Sequence, residues 1–156
     1  MDSVPHPGPV RQRPRLLVVE DEVSTVFALR SFFAPTGYDV DCAANPFDGL
    51  RLLDRNEYEA VITDLHLTPL RRAEGLNIAT HARRRNPRAC VVMLTAYGSE
   101  STEQEAQRCG VDIYRTKPVE LPRLTSDIER VRQEYSGGRD GPAFTGAAAA
   151  TNGHDD

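Results

Sequence analysis

The chain alternates short apolar runs with longer segments in which apolar residues recur every three or four positions. The short runs are rich in β-branched residues, which is typical of strands. They predict five strands, at residues 15–19, 39–42, 60–63, 89–94 and 111–114. Three of these runs are apolar almost throughout, as expected of strands that a parallel sheet buries on both faces.

The longer segments have the periodicity of amphipathic helices. They predict helices at residues 24–33, 46–53, 76–85, 101–108 and 121–134. Asn45 and Pro46 provide an N-cap and a first helical residue, while Pro87 and Gly110 stop two of the helices. The alternation predicts an α/β, doubly wound (βα)5 fold of the flavodoxin-like type, with a parallel five-stranded sheet ordered 2-1-3-4-5.

Proline and glycine are concentrated at the two ends of the chain. Four of the 11 prolines fall within residues 1–14, and five of the 11 glycines fall within residues 136–156. Such segments rarely bury enough apolar surface to fold. We therefore expect disordered tails at residues 1–14 and 136–156, and one domain at residues 15–135.

The overall composition is that of an ordinary globular protein, with 27% charged residues and a net charge of −4. The three arginines at residues 83–85 close a predicted helix, so we expect a solvated helix end and no nucleic-acid partner. No apolar run reaches the roughly 18 residues of a membrane span, which favours a cytoplasmic protein with no membrane partner. Cys42, Cys90 and Cys109 form no disulfide or metal pattern and are expected to be buried and reduced.

Three carboxylates follow two of the predicted strands. Glu20 and Asp21 come directly after the first strand, and Asp64 comes directly after the third. In the predicted sheet these strands are neighbours, and ligands bind at this topological switch point. Clustered carboxylates repel one another unless a hard cation shares them, and oxygen ligands suit Mg²⁺. The pattern predicts a magnesium site, although Glu20 and Asp21 would also suit the cap of the next helix.

Two further polar residues follow the last two strands. Thr95 follows the fourth, and its hydroxyl can donate to an oxyanion. Lys117 follows the fifth and is the single lysine among 19 basic residues. Its ammonium is a compact, flexible point charge that suits one side of a phosphate site. We expect a cis peptide bond between Lys117 and Pro118 that turns the chain sharply at this point.

Together with an aromatic residue, these residues form an ordered set that resembles the response-regulator receiver domains of two-component signalling, of the stand-alone, chemotaxis-regulator type. In chain order the set is Glu20, Asp21, Asp64, Thr95, Ala96, Tyr114, Lys117 and Pro118. The spacings agree as well, with 43 residues from Asp21 to Asp64, 31 from Asp64 to Thr95 and 22 from Thr95 to Lys117. The resemblance covers residues 15–135.

The resemblance implies that Asp64 is the phosphoacceptor, a nucleophile that takes a phosphoryl group from a phosphohistidine. It also implies that Asp21, Asp64 and the backbone carbonyl of His66 hold Mg²⁺, with Glu20 contributing through water. Such a chain is a signalling receiver that catalyses only its own Mg²⁺-dependent phosphorylation and dephosphorylation.

The same resemblance implies that Thr95 and Lys117 bind the phosphoryl group. Thr95 and Tyr114 would form a switch that reshapes the surface of helix 4, strand 5 and helix 5. Taken alone, Tyr114 is equally well an ordinary aromatic residue. His66 and Tyr97, two residues after the phosphoacceptor and after Thr95, occupy positions expected to set the lifetime of the phosphoryl group.

The implied partners are a histidine kinase or a histidine phosphotransfer protein, and a downstream protein target or phosphorelay acceptor. The chain would act as a monomer or weak homodimer.

The loop at residues 65–74 is longer than usual in the family that the chain resembles. Pro69 comes five residues after Asp64 instead of four, and Gly75 comes about three residues late. The loop also carries Arg71 and Arg72. The alternative hypothesis is a phosphorylation-independent docking module with the same fold.

Overall fold

The computed structural model describes residues 12–68 and 73–138. Within these residues five strands alternate with five helices. In chain order they are β1 (Arg15–Val19), α1 (Val23–Phe33), β2 (Asp39–Ala43), α2 (Pro46–Arg55), β3 (Ala60–Asp64), α3 (Glu74–Arg85), β4 (Cys90–Thr95), α4 (Glu100–Arg108), β5 (Ile113–Thr116) and α5 (Leu121–Ser136). Neighbouring strands pair in parallel in the order β2-β1-β3-β4-β5, which confirms the predicted doubly wound (βα)5 sheet.

Alternate residues of the central strands face two separate hydrophobic clusters. In β1, Leu16 and Val18 pack in the cluster that contains residues of α1 and α5, while Leu17 and Val19 pack in the cluster with α2, α3 and α4. All four side chains are fully buried. Each contributes about 1.5–3 kcal/mol of hydrophobic free energy. Because both faces are covered, the strand needs apolar residues at every position, which explains the continuous apolar run.

A local capping signal accounts for the start of α2. The Asn45 side chain accepts a hydrogen bond from the backbone N–H of Asp48 at 2.8 Å, and Pro46 is the first helical residue, as predicted. Every helix begins and ends within two residues of its predicted bounds. The periodicity did not predict the short 3-10 helix Ala34–Thr36 that joins α1 to β2.

The predicted start of β5 was wrong by two residues, because the end of α4 uses the residues in question. Gly110 has a φ of +96°, and its N–H donates to the carbonyl of Gln107. The N–H of Val111 donates to the carbonyl of Ala106 at 3.0 Å. These two bonds form a Schellman motif that ends the helix. Val111 therefore belongs to the helix end, and the strand begins at Ile113.

The prediction of a solvated helix end was wrong for Arg83. Its side chain is 3% exposed and forms a salt bridge with Asp112 at 2.6 Å. The guanidinium also donates to the carbonyls of Ala89 and Gly110, and Asp112 accepts a hydrogen bond from the hydroxyl of Tyr135. A buried charge is tolerated only when it is paired and hydrogen-bonded, and this cluster meets that condition while joining α3 to α5.

Two other expectations concern the cysteines and the predicted tails. All three cysteines are free, but only Cys90 is buried, while Cys42 and Cys109 are half-buried. The predicted tails fall largely outside the described residues, so their disorder stays a prediction. At the edge of the first tail, the Pro14 carbonyl accepts the N–H of Asp39 at 2.9 Å. None of the described helices is long and apolar enough to cross a bilayer.

Candidate functional site

The three predicted carboxylates meet at the carboxyl ends of the two central strands. β1 and β3 are neighbours, with Val19 opposite Thr63, so the residues that follow them emerge side by side. Glu20, Asp21 and Asp64 each contribute one carboxylate oxygen to a group whose atoms lie within 4.8 Å of one another. Glu20 and Asp64 are buried, while Asp21 is exposed. The cluster thus has two buried carboxylates and one on the solvent side.

Lys117 reaches this cluster from the other side, beyond β5. Its Nζ donates to Glu20 Oε2 at 3.0 Å and to Asp64 Oδ2 at 3.1 Å. The backbone N–H of Lys117 donates to the carbonyl of Thr95 at 2.8 Å, which ties the lysine to the end of β4. The peptide bond between Lys117 and Pro118 is cis, as expected. One ammonium therefore bridges two of the three carboxylates.

The charges at the site remain unbalanced. Burial, together with the nearby charge of Asp64, raises the pKa of Glu20 from 4.5 to about 7, and the bonds from Lys117 offset only part of this effect. Burial acts to lower the pKa of Lys117, but its bonds to Glu20 and Asp64 outweigh that effect, so its pKa lies above the ordinary value. The oxygen-only donor set and the excess of negative charge fit a hard divalent cation such as Mg²⁺.

The N-terminus of α3 packs directly on the backbone of Asp64. The N–H of Gly75 donates to the carbonyl of Leu65 at 2.9 Å. A Cβ atom on Gly75 would lie only 2.0 Å from the carbonyl oxygen of Asp64. This close approach requires glycine. Residues 69–72, which include the proline and the two arginines of the longer loop, lie outside the described residues.

Thr95 and Tyr114 lie at the same edge of the sheet, but their hydroxyls bond elsewhere. The hydroxyl of Thr95 is buried, donates to the carbonyl of Tyr97 at 3.2 Å and accepts its N–H at 3.3 Å. The Tyr114 hydroxyl is 2.8 Å from Thr102 Oγ1 on α4, and its ring is half-buried. In this arrangement neither hydroxyl forms a hydrogen bond with the carboxylates of Glu20, Asp21 or Asp64.

The predicted helix-capping role of the first two carboxylates is only indirect. The N-cap residue of α1 is Glu22, and its side chain forms no capping hydrogen bond. Glu20 Oε1 instead accepts the N–H of Glu22 at 3.2 Å. His66 lies beside the site, with its N–H donating to Asp64 Oδ1 at 3.3 Å, and its Nδ1 atom is buried without a hydrogen-bond partner among the described residues.

Two residues of this region were missed by the sequence analysis. Glu74, the first residue of α3, bonds to Leu67 and Thr68 across the longer loop. Thr102 bonds to Tyr114 and also completes a capping box with Ser99 at the start of α4. The usual capping-box signature has Glu or Gln at the third helical position, so Thr102 at that position gave no such signal. An acidic residue at a helix start is too common to single out Glu74.

A model of the response regulator receiver domain family matches residues 16–129, which include both central strands and every residue of the site. The chain belongs to the response regulator receiver domain family. Members of this family are phosphorylation-accepting signalling modules.

The receiver domain is also similar to individual regulators. It is 30% identical over 122 residues to the regulatory protein AtoC of Escherichia coli strain K12, which covers 78% of this chain and 26% of that protein. It is 34% identical over 120 residues to the transcriptional regulatory protein DltR of Streptococcus agalactiae, which covers 76% of this chain and 52% of that protein. The chain thus spans about a quarter to a half of the length of these relatives.

Solved structures share the same fold. A CheY-like response regulator receiver domain protein from Methanospirillum hungatei JF-1 matches with a TM-score of 0.73 at 24% identity, and the match covers 81% of this chain and all of that one. A response regulator from Burkholderia pseudomallei matches with a TM-score of 0.69 at 25% identity, covering 80% of this chain and 71% of that one. The Burkholderia structure contains a phosphorylated aspartic acid, a calcium ion and citrate.

Proposed function

We propose that this receiver accepts a phosphoryl group on Asp64 from a histidine kinase or a histidine phosphotransfer protein. It acts as a cytoplasmic response regulator whose output is a phosphorylation-dependent protein contact or onward phosphorelay. The observation that carries the proposal is the bridge from Lys117 to Asp64 and Glu20 within a cluster that also contains Asp21. This arrangement combines a nucleophile, a fixed cation and a set of oxygen ligands.

The transfer itself is a displacement at phosphorus. A carboxylate oxygen of Asp64 forms the new bond, the bond from phosphorus to the donor's histidine nitrogen breaks, and its electron pair stays on the imidazole. Lys117 exchanges its bond to Asp64 for a bond to a phosphoryl oxygen. Phosphoryl transfer is catalysed mainly by positioning and charge neutralisation, and the residues around Asp64 supply both.

The residues present fit a magnesium ion. Asp21, Asp64 and the backbone carbonyl of His66 would hold it, and Glu20 would contribute through water. Bound there, the ion neutralises charge on the phosphoryl oxygens. The raised pKa of Glu20, caused by burial and by the charge of Asp64, supports this assignment because a cation would relieve the same repulsion.

The switch to the active form requires two hydrogen-bond exchanges. The Thr95 hydroxyl leaves the backbone of Tyr97 to donate to the phosphoryl group, and Tyr114 leaves Thr102 of α4. This would alter the α4–β5–α5 surface, through which we expect the target to bind. We expect the receiver itself to be a monomer or weak homodimer. His66 and Tyr97 stay predicted determinants of the phosphoryl lifetime.

A cleft lies beside the site, next to Lys117. It has a volume of about 550 Å³ and is lined by residues of α1, by Tyr97 and by Lys117. The same helix exposes two large apolar side chains, Val23 (82% exposed) and Phe27 (72%). A protein donor can pack on these side chains, whereas a small phosphodonor cannot. Phe27→Ser is therefore expected to slow transfer from a phosphohistidine protein while leaving transfer from acetyl phosphate unchanged.

The test of the proposal is the intact mass of the protein after incubation with acetyl phosphate and Mg²⁺. We expect one added phosphoryl group, lost in EDTA and in Asp64→Asn. Asp39→Asn, which changes an aspartate at the opposite end of the sheet, should label like the wild type. Labelling that survives in Asp64→Asn would overturn the assignment. Absence of any adduct, from acetyl phosphate or from phosphohistidine donors, would favour the phosphorylation-independent docking module.

A further inference from the structure

The longer loop after β3 is closed at its base by the carboxylate of Glu74. Its Oε2 accepts the backbone N–H of Leu67 at 3.1 Å, and its Oε1 accepts the hydroxyl of Thr68. Residues 69–72 lie between the two bonded ends in the sequence. Glu74 thus joins the start of α3 to the two described residues that precede this segment, and we call these two hydrogen bonds the clamp.

The clamp also sets the orientation of one peptide unit. A trans peptide bond is planar, so the carbonyl of His66 and the N–H of Leu67 point in opposite directions. Since that N–H is directed at Glu74, the His66 carbonyl is directed away from Glu74. The N–H of His66, on the preceding peptide unit, donates to Asp64 Oδ1 at 3.3 Å. The two peptide units that flank the His66 α-carbon are therefore held by two different carboxylates.

We propose that Glu74 is a positioning residue that holds the His66 carbonyl in the orientation needed to bind the divalent ion. This inference rests on the proposed function, because it assumes the metal site at Glu20, Asp21 and Asp64. It explains how a loop with additional residues can still present a backbone ligand at a fixed position. Hydrogen-bond partners of metal ligands commonly change metal affinity by roughly 10- to 100-fold when they are removed.

The chemistry of Glu74 suits this role. Partial burial acts to raise its pKa, but the hydrogen bonds from Thr68 and from backbone N–H groups, together with the nearby His66, outweigh burial and lower the pKa. An ionised carboxylate accepts stronger hydrogen bonds than a neutral group does. A simple interaction with the helix dipole would need only a negative charge in the first turn of α3. The clamp additionally needs two acceptor atoms and the length of glutamate.

The experiment is a titration of the metal-free, full-length protein with Mn²⁺, followed by electron paramagnetic resonance of the unbound ion. We expect the dissociation constant to rise about 10-fold in Glu74→Gln, which loses one acceptor and the charge. Glu74→Asp keeps the charge but is too short to reach both partners, so we expect a similar loss. The control is Glu100→Gln, which removes the equivalent first-turn acid of α4 and should bind Mn²⁺ like the wild type.

The outcomes separate this inference from the proposed function. Wild-type affinity in Glu74→Gln, or in Glu74→Asp, would overturn the positioning role, and the latter result would assign Glu74 to the helix dipole alone. Absence of Mn²⁺ binding in the wild type and in Glu100→Gln would instead refute the metal site itself. Circular dichroism of each metal-free variant checks folding, so that a loss of affinity in a folded Glu74 variant supports the clamp.

Discussion

Replacing Gly75 with alanine places one methyl group between α3 and Asp64, the proposed phosphoacceptor. Gly75 is helical, and in a helix interior alanine is favoured over glycine by about 1 kcal/mol. Helix propensity alone therefore predicts a more stable protein. The contact predicts the opposite, because the new Cβ would lie 2.0 Å from the carbonyl oxygen of Asp64 and 2.8 Å from the Cα of Leu65.

The steric term is the larger of the two. Carbon and oxygen atoms in contact normally lie about 3.3–3.6 Å apart, so α3 and β3 must separate by more than about 1 Å. Overpacking of this kind costs roughly 1–3 kcal/mol, and the oxygen belongs to a buried strand that cannot move freely. We expect a net destabilisation of up to about 2 kcal/mol, the difference between the two terms. A displacement of about 1 Å at Asp64 should also slow phosphorylation by up to about 100-fold.

Urea unfolding followed by circular dichroism measures the stability, and the time course of the acetyl phosphate adduct measures the rate. Gly137→Ala is the matched control, because a Cβ at this helix end has its nearest neighbour at an ordinary 3.5 Å. The control should change stability by less than about 0.5 kcal/mol and leave the rate unchanged. If Gly75→Ala is as stable as the wild type and is labelled as fast, the direct packing of α3 on Asp64 is refuted.

Two further predictions concern charge. Burial and Asp64 raise the pKa of Glu20 from 4.5 to about 7. The metal-free protein should therefore lose up to about 3 kcal/mol of stability as the pH rises from 4.5 to 7. Mg²⁺ should bind more tightly as the pH rises through 7. Thermal unfolding from pH 4 to 8 measures this loss, which should vanish in Glu20→Gln; a pH dependence unchanged in that variant would contradict the reasoning. Arg83→Met leaves Asp112 buried without its ion-pair partner and should destabilise the protein by about 3–5 kcal/mol in urea unfolding. The control is Arg88→Met at an exposed position, which should have little effect. Equal unfolding midpoints for the two variants would contradict the assigned role of Arg83.

Much of the fold and of the site could be predicted from local patterns. Continuous apolar runs arise because central strands such as β1 are covered on both faces. The order of the strands places the residues after β1 and β3 side by side, so the proximity of Glu20 and Asp64 could be predicted from the sequence. The start of β5 could not be located in this way, because Val111 has high strand propensity but is used by the Schellman motif of α4.

The partners of individual side chains were the part that local patterns could not supply. Arg83 resembles its neighbours in the sequence, yet it is buried because two turns meet around it. The turn before β5 supplies Asp112 and one backbone carbonyl, and the turn before β4 supplies two more carbonyls. Thr95 ends β4 and Tyr114 lies within β5, but the partners of their hydroxyls could not be predicted from these positions. Their bonds to Tyr97 and Thr102 depend on how the loop after β4 folds.

The sequence by itself determined the order of the elements, the two buried faces of the sheet and the set of charged residues at its edge. These properties follow from periodicity and spacing along the chain, which are local and survive in any arrangement that buries the apolar runs. Only the tertiary structure decided that Gly75 touches Asp64 and that Glu74 closes the loop beside it. Such contacts join residues only 6 to 11 positions apart, but helical and strand periodicity do not relate residues across a loop, so the contacts depend on how α3 packs on the sheet.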